Sequence, residues 1–303
     1  MDAVHYYKAL ADETRLRLVY LLQRHELSVN EIVTVMGMGQ SRVSRHLKIL
    51  TDCGLLKSRR DGLWVFYSAS GEGRGGLFNE LFLGFVGDDA ELKSDYSVMK
   101  GILDEGQREK TRFFDAIAPD WNHIRQDIFG GLDISGEIVE RIAACEIAAD
   151  LGCGTGELLP AIREKARLVI GVDKSPKMLE LAERRRALNG KGIELRIGEM
   201  EHLPMRDGEA DAAVINMVLH HLPAPDAGIA EAGRVIRNGG TLIIVDLDKH
   251  HNEEMRSRYG HRWLGFSRKN VERWLSESGM TVADFAQFKV GSGLKVNLLA
   301  ARK

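Results

Sequence analysis

The segment "AADLGCGTGELL" runs out of an apolar stretch into Gly152, Gly154 and Gly156, spaced G-x-G-x-G. Glycines so placed let the backbone turn tightly and lie against a ligand. A dinucleotide fold more often shows G-x-G-x-x-G, which brings a helix N-terminus onto a pyrophosphate. A glycine motif alone says little, but this one has partners. "RLVIGVD" ends the next apolar run in Asp173, 23 residues after Asp150. An acid there can accept hydrogen bonds from both hydroxyls of a ribose. "RIGEMEHLPM" brings Glu199 and Met200 to the end of a third run, a pair suited to the edge and face of an adenine. "DAAVINMVLHHL" carries Asn216 to the mouth of the same crevice.

A second set lies in "GQSRVSRHLKIL". Val43, Leu47 and Leu50 repeat at helical spacing and turn inward, which leaves Gln40, Ser41, Arg42, Ser44, Arg45 and His46 on the outer side. Arginine on a helix in the major groove makes two-pronged bonds to guanine, while serine hydroxyls and a helix N-terminus hold phosphate. Arg59 and Arg60, in "LLKSRRDGLWVFYS", stand near a turn at Asp61-Gly62, where they would meet the DNA backbone. The other reading of this surface is a helix with ordinary solvated charges.

The elements that must position these residues follow from periodicity. Leu16, Leu18, Val19 and Leu22 mark one helix, and Val29, Ile32, Val33 and Val35 a short second one. "MGMGQ" is a tight turn, and Ser41 opens a third helix. Short helix, turn, helix and hairpin make a winged helix-turn-helix. From about residue 145, "EIAADLG", "RLVIGVD", "IELRIG", "DAAVINM" and "GTLIIVDL" alternate with helical patterns such as "SPKMLELAERRRAL". That alternation predicts a parallel sheet covered on both faces. The expected architecture is multidomain: an α+β winged helix-turn-helix over 1–75, a helical segment over 76–135, and an α/β Rossmann-like domain over 136–303. The stretch 253–275, rich in arginine and aromatic residues, reads as a solvated amphipathic helix, as a cap on the pocket or as a surface docked on the other domain.

Composition sets the outer limits. Apolar residues make up 44% and charged residues 28%, as in a soluble globular protein. No apolar run approaches a membrane span and no signal-peptide core opens the chain, so a cytoplasmic protein with no membrane partner is expected. Cys53, Cys145 and Cys153 are scattered and odd in number, which speaks against a disulfide framework or a cysteine zinc site. The net charge is −2, but residues 1–75 hold 11 Lys+Arg against 8 Asp+Glu, hence +3, which is compatible with DNA.

"LADETRLRLVYLL", "GQSRVSRHLKIL", "GLL" and "RRDGLWVFY" together resemble the ArsR/SmtB family of dimeric bacterial repressors. The resemblance implies a homodimer on a palindromic double-stranded DNA operator, released by a ligand. Metal-sensing members keep a Cys-x-Cys in the helix before the turn, where this chain has Ser28 and Asn30, poor ligands for a soft metal. The histidine pairs His220/His221 and His250/His251 are neighbours whose side chains diverge on a regular helix or strand. No metal is expected.

The crevice residues resemble class I S-adenosylmethionine-dependent methyltransferases, over roughly 110–303. This resemblance implies a seven-stranded sheet with a late antiparallel strand at "LKVNLLAAR". It places Asp150, Gly152 and Gly154 at the amino-acid end of the ligand, Asp173 on the ribose, and Lys174, Met178, Glu199 and Met200 around the adenine. Asn216 and Leu219 fall near the sulfur, and Trp121 on a lid. Ordinary core roles remain open for Met178 and Trp121, and a plain helix start for His220 and His221. Two functions compete: a sensor of S-adenosylmethionine or S-adenosylhomocysteine that shifts operator affinity, and a working methyltransferase attached to a DNA-binding domain. The whole arrangement resembles the S-adenosylhomocysteine-responsive ArsR regulators of the methionine cycle. No catalytic residue is singled out, because methyl transfer asks mainly for alignment of acceptor and methyl.

Overall fold

A computed structural model describes residues 2–86, 89–118, 130, 132–189 and 191–303. The chain divides into two units, Met1–Glu109 and Lys110–Lys303. The division falls inside the helical stretch expected over 76–135. Among the described residues, no helix is long and apolar enough to cross a membrane.

In the first unit, α1 (Asp2–Leu10) and α2 (Glu13–Leu22) precede a two-residue strand, β1 (Leu27–Ser28). The helix-turn-helix is α3 (Val29–Met36) and α4 (Gln40–Asp52). Gly37 ends α3 in the left-handed conformation, φ 60°, which a residue with a Cβ adopts at a cost. A hairpin of β2 (Leu56–Asp61) and β3 (Trp64–Ala69) forms the wing. Asp61 pairs with Trp64, so the turn residues are Gly62 and Leu63; Asp61 ends its strand and is buried. Two more helices follow, α5 (Gly73–Val86) and α6 (Ala90–Ile117), the last turns of α6 belonging to the second unit. Leu18, Leu21, Val43, Leu47 and Leu50 form one core with Phe82, Leu92 and Met99. Arg17 anchors α2 to α6 through two bonds to Asp95, 2.6 and 2.8 Å.

The second unit holds α7 (Ile134–Glu140), β4 (Cys145–Leu151), α8 (Leu159–Arg163), β5 (Ala166–Asp173), α9 (Pro176–Asn189), β6 (Ile193–Ile197) and β7 (Ala210–Asn216). After a short 3₁₀ turn at Leu219–His221 come α10 (Pro225–Val235), β8 (Ile236–Leu247), α11 (Glu254–Tyr259), α12 (Arg268–Glu277), β9 (Thr281–Lys289) and β10 (Lys295–Arg302). The seven-stranded sheet has the order β6-β5-β4-β7-β8-β10-β9. The five strands read from the sequence are mutually parallel, and β10, the "LKVNLLAAR" strand, runs antiparallel to both neighbours. Alternate residues feed opposite faces: Ala149, Ile170 and Ile215 pack with α10 and α12, and Ala148, Val169 and Val214 with α7 and α8. From β4 the chain moves outward to β5 and β6, then returns to the other side of β4 at β7. Between β4 and β7 lies the switch point where such sheets open a crevice.

The 253–275 stretch is not one solvated helix. Gly260, at φ 67°, ends α11, and the loop that follows buries His261, Trp263, Leu264 and Phe266. The Trp263 indole N–H donates to Leu222 O at 2.7 Å, which fastens this loop beside the 3₁₀ turn.

Candidate functional site

The second unit gathers its polar residues at the carboxyl ends of β4, β5, β6, β7 and β8. Gly152 begins the loop after β4 at φ 81°, and a Cβ there would stand 2.5 Å from Val218 in the loop after β7. Only glycine lets those two loops meet at the switch point. Gly154 sits at φ 52°, and its N–H donates to Asp173 Oδ2 at 2.8 Å. The other oxygen, Oδ1, accepts the Ser175 N–H at 2.8 Å. The acid is thus held between the glycine loop and the start of α9. Burial raises its pKa from the ordinary 3.8, while the two backbone N–H groups oppose the rise. Ser175 caps α9 by accepting the Met178 N–H at 3.1 Å, and its hydroxyl donates to Asp115 at 2.5 Å.

Lys174 lies beside Glu199 and Glu201, so that burial lowers its pKa and the two acids pull it back up. Glu199 is exposed and Met178 is buried, whereas Met200 belongs to the core with Leu203 and Ile229. Asp150 is buried near the end of β4. The Asn216 Oδ1 at the end of β7 is buried with no hydrogen-bond partner, and so is the Thr155 Oγ1 in the glycine loop. Buried polar atoms in that state cost free energy unless a ligand or water answers them. Met217 is the only non-glycine residue at positive φ among the described ones, 61°, directly after Asn216. Strain of this kind gathers where a fold must present a side chain.

Leu219, expected near the sulfur, has its side chain fully buried in the core. Trp121 lies outside the described residues. Sequence reasoning passed over Thr155, Ser175 and Asp246, and of these Asp246 left a trace, an acid at the carboxyl end of "GTLIIVDL". His220 Nδ1 stands 2.7 Å from Asp246 Oδ1 in a fully buried pair. The neighbouring His220 and His221 do not diverge. They share a 3₁₀ turn, not a regular helix or strand, and their ring centroids are 4.1 Å apart.

In the first unit, Val43, Leu47 and Leu50 face inward, and Gln40, Ser41, Arg42, Ser44 and Arg45 are exposed along α4. The helix starts at Gln40 with Gly39 as its cap, so Ser41 lies in the first turn and does not open it. His46 does not face outward: it is turned toward Asp12, 3.6 Å away. Arg59 is engaged by Glu26 at 3.0 Å and lies over the Phe66 ring, whereas Arg60 stays exposed on the wing. Ser28 has a defined structural task. Its hydroxyl accepts the Glu31 N–H and its own N–H donates to Glu31, a complete capping box on α3. The Ser-x-x-Glu spacing that signals it was present in the sequence.

Comparison with known proteins agrees with both halves. Residues 12–58 match the family of bacterial regulatory proteins, arsR family, and residues 149–244 match a methyltransferase domain. The arsenical resistance operon repressor of Escherichia coli is 44% identical over 68 residues, 22% of this chain and 58% of its own length. A demethylmenaquinone methyltransferase of Lactobacillus johnsonii is 34% identical over 117 residues, 37% of this chain and 48% of its own. An uncharacterised 37.1 kDa protein of a Streptomyces fradiae transposon is 42% identical over 107 residues, 34% of this chain. The chain spans 30–58% of the length of these relatives. Among solved structures, a methyltransferase-like protein of Bacillus halodurans aligns with TM-score 0.51 and 20% identity, covering 57% of this chain and 98% of its own. The [4+2]-cyclase SpnF aligns with TM-score 0.55 and 18% identity, covering 63% of this chain and 94% of its own. These two structures share the fold, and the cyclase shows that the fold alone does not name the reaction. The chain joins a helix-turn-helix domain of the arsR regulatory family to a methyltransferase domain.

Proposed function

We propose that this protein is a DNA-binding repressor whose methyltransferase domain senses S-adenosylhomocysteine or S-adenosylmethionine. The observation that carries the reading is the division of labour between the two halves. Ser28, where metal-sensing relatives are expected to hold a ligand, is spent on capping α3. In the other domain, Asn216 Oδ1 after β7 and Thr155 Oγ1 in the glycine loop are buried without hydrogen-bond partners beside the crevice. Asp173, held between two backbone N–H groups, keeps lone pairs for a ribose. The glycine loop and Asp150 border the amino-acid end, and Lys174, Met178 and Glu199 the adenine. These residues fit an adenosine-type nucleoside, whose sulfonium form supplies an activated methyl group when bound.

The exposed face of α4, with Arg42 and Arg45, reads a palindromic operator as a homodimer. Leu77, Leu81 and Phe85 repeat at i, i+4 and i+8 on α5 and are 65, 67 and 88% exposed. Val4 and Tyr7 on α1 are also exposed, and Tyr7 packs edge-on against Phe78 of α5. Such an apolar stripe is costly in water and fits a second copy of this chain. Binding of S-adenosylhomocysteine releases the dimer; a coupling of about 1–3 kcal/mol corresponds to about 5–150-fold in DNA affinity.

The buried His220–Asp246 pair favours a second reading, an active methyltransferase on a small molecule, because a His–Asp pair can take a proton from an acceptor. Supplying methyl-labelled S-adenosylmethionine and small-molecule extract to the full chain separates the two. The sensor retains the label as intact nucleoside, whereas sustained transfer of label to a small molecule overturns the sensing reading.

A further inference from the structure

The histidines that were expected to diverge meet instead. One ring nitrogen from each of His220, His221 and His261 lies within 4.8 Å of the other two. The ring centroids of His261 are 4.1 Å from His220 and 5.0 Å from His221. His220 is 1% exposed and His261 4%. We propose that these three histidines bind a divalent transition-metal cation of the zinc type. The proposal is independent of the nucleoside reading.

Four observations support it. First, the cluster is chemically unfinished: His261 Nδ1 and Asp246 Oδ2 are both buried with no hydrogen-bond partner. Second, the three rings already face one another, with centroids 4.1–5.0 Å apart. Third, the outer contacts have the form that orients metal ligands. Asp246 Oδ1 takes His220 Nδ1 at 2.7 Å, and Gly260 O faces His221 Nδ1 at 3.4 Å. Ligand histidines characteristically engage a carboxylate or a backbone carbonyl with the ring nitrogen that does not bind metal. Fourth, Asp246 adds a carboxylate beside the rings, which suits a dication.

Zinc–nitrogen bonds of about 2.0–2.1 Å place tetrahedral ligand nitrogens about 3.4 Å apart. The three rings therefore close inward on binding. Three neutral nitrogens leave a fourth position for water or an anionic group, as in reactive zinc sites and unlike closed structural ones. The cluster stands at the carboxyl ends of β7 and β8, the edge that also carries Asn216, with the Phe114 ring 4.8 Å from His221. A cation there would hold an acceptor or an effector's polar end beside the crevice.

The test uses the full chain without a polyhistidine tag, stripped by chelator and titrated with Zn²⁺ or Co²⁺. The wild type takes up about one ion per chain, and X-ray absorption shows about three imidazoles around it. His221→Gln with His261→Gln abolishes uptake, Asp246→Asn weakens it about 10–100-fold, and exposed His251→Gln leaves it unchanged. Absence of uptake by the wild type overturns the proposal, as does an absorption spectrum without imidazole ligands. The spectrum decides whether or not the variants fold.

Discussion

Asp173→Ala puts the nucleoside reading at risk most sharply. The carboxylate has about four lone-pair sites. Two are taken by the N–H groups of Gly154 and Ser175, both at 2.8 Å. One site on each oxygen remains, enough for both hydroxyls of a ribose. A hydrogen bond to a charged group contributes about 1.5–3 kcal/mol, so losing two costs about 3–6 kcal/mol. At about 1.4 kcal/mol per tenfold, S-adenosylhomocysteine affinity falls about 10²–10⁴-fold. Truncation also frees the Gly154 N–H and loosens the glycine loop, which acts in the same direction. Isothermal titration calorimetry reads the loss, and operator binding in the absence of ligand serves as the control for folding of the first unit. An unchanged dissociation constant in a folded variant refutes the ribose assignment. The pH dependence gives a second check with a definite sign. The ligand's hydroxyls need the ionised acid, and burial raises the pKa of Asp173 above 3.8. Affinity is therefore full above that raised value and is lost as pH falls through it, before an ordinary aspartate would titrate.

Arg45→Ala lowers specific operator affinity by about 1–3 kcal/mol, read by fluorescence anisotropy, if its side chain takes a guanine; wild-type affinity removes it from the interface. Ser28→Ala breaks the capping box and costs about 0.5–2 kcal/mol of stability in urea unfolding without any change in zinc binding. If stability is unaltered, the capping role assigned to this hydroxyl fails. Phe85→Asp, on the 88% exposed end of the α5 stripe, shifts the protein to monomer in analytical ultracentrifugation. A dimer of undiminished strength moves the interface elsewhere.

Periodicity made the framework legible. Five apolar runs became five parallel strands, and the inward set Val43, Leu47 and Leu50 was recovered because a helix repeats every 3.6 residues. Asp173 was legible for a similar reason, since strand ends mark the crevice in any open sheet. What escaped depends on contacts between distant segments. His261 joins His220 only because Gly260 ends α11 and the following loop turns inward. Arg59 looked free for DNA until Glu26, far off in sequence, took it up. The strand β9 also went unread, because its alternation at the sheet edge is shallow and exposed. The capping role of Ser28 needs no distant contact, because its partner Glu31 lies three residues on in a Ser-x-x-Glu pattern.

The most direct measurement is operator affinity of the protein on its own upstream DNA, titrated separately with S-adenosylhomocysteine and S-adenosylmethionine at fixed salt. The account predicts that S-adenosylhomocysteine weakens binding by about 5–150-fold, and that the response disappears in Asp173→Ala. Unchanged DNA affinity at saturation, with calorimetry showing the nucleoside bound, contradicts it and leaves the second domain as an enzyme.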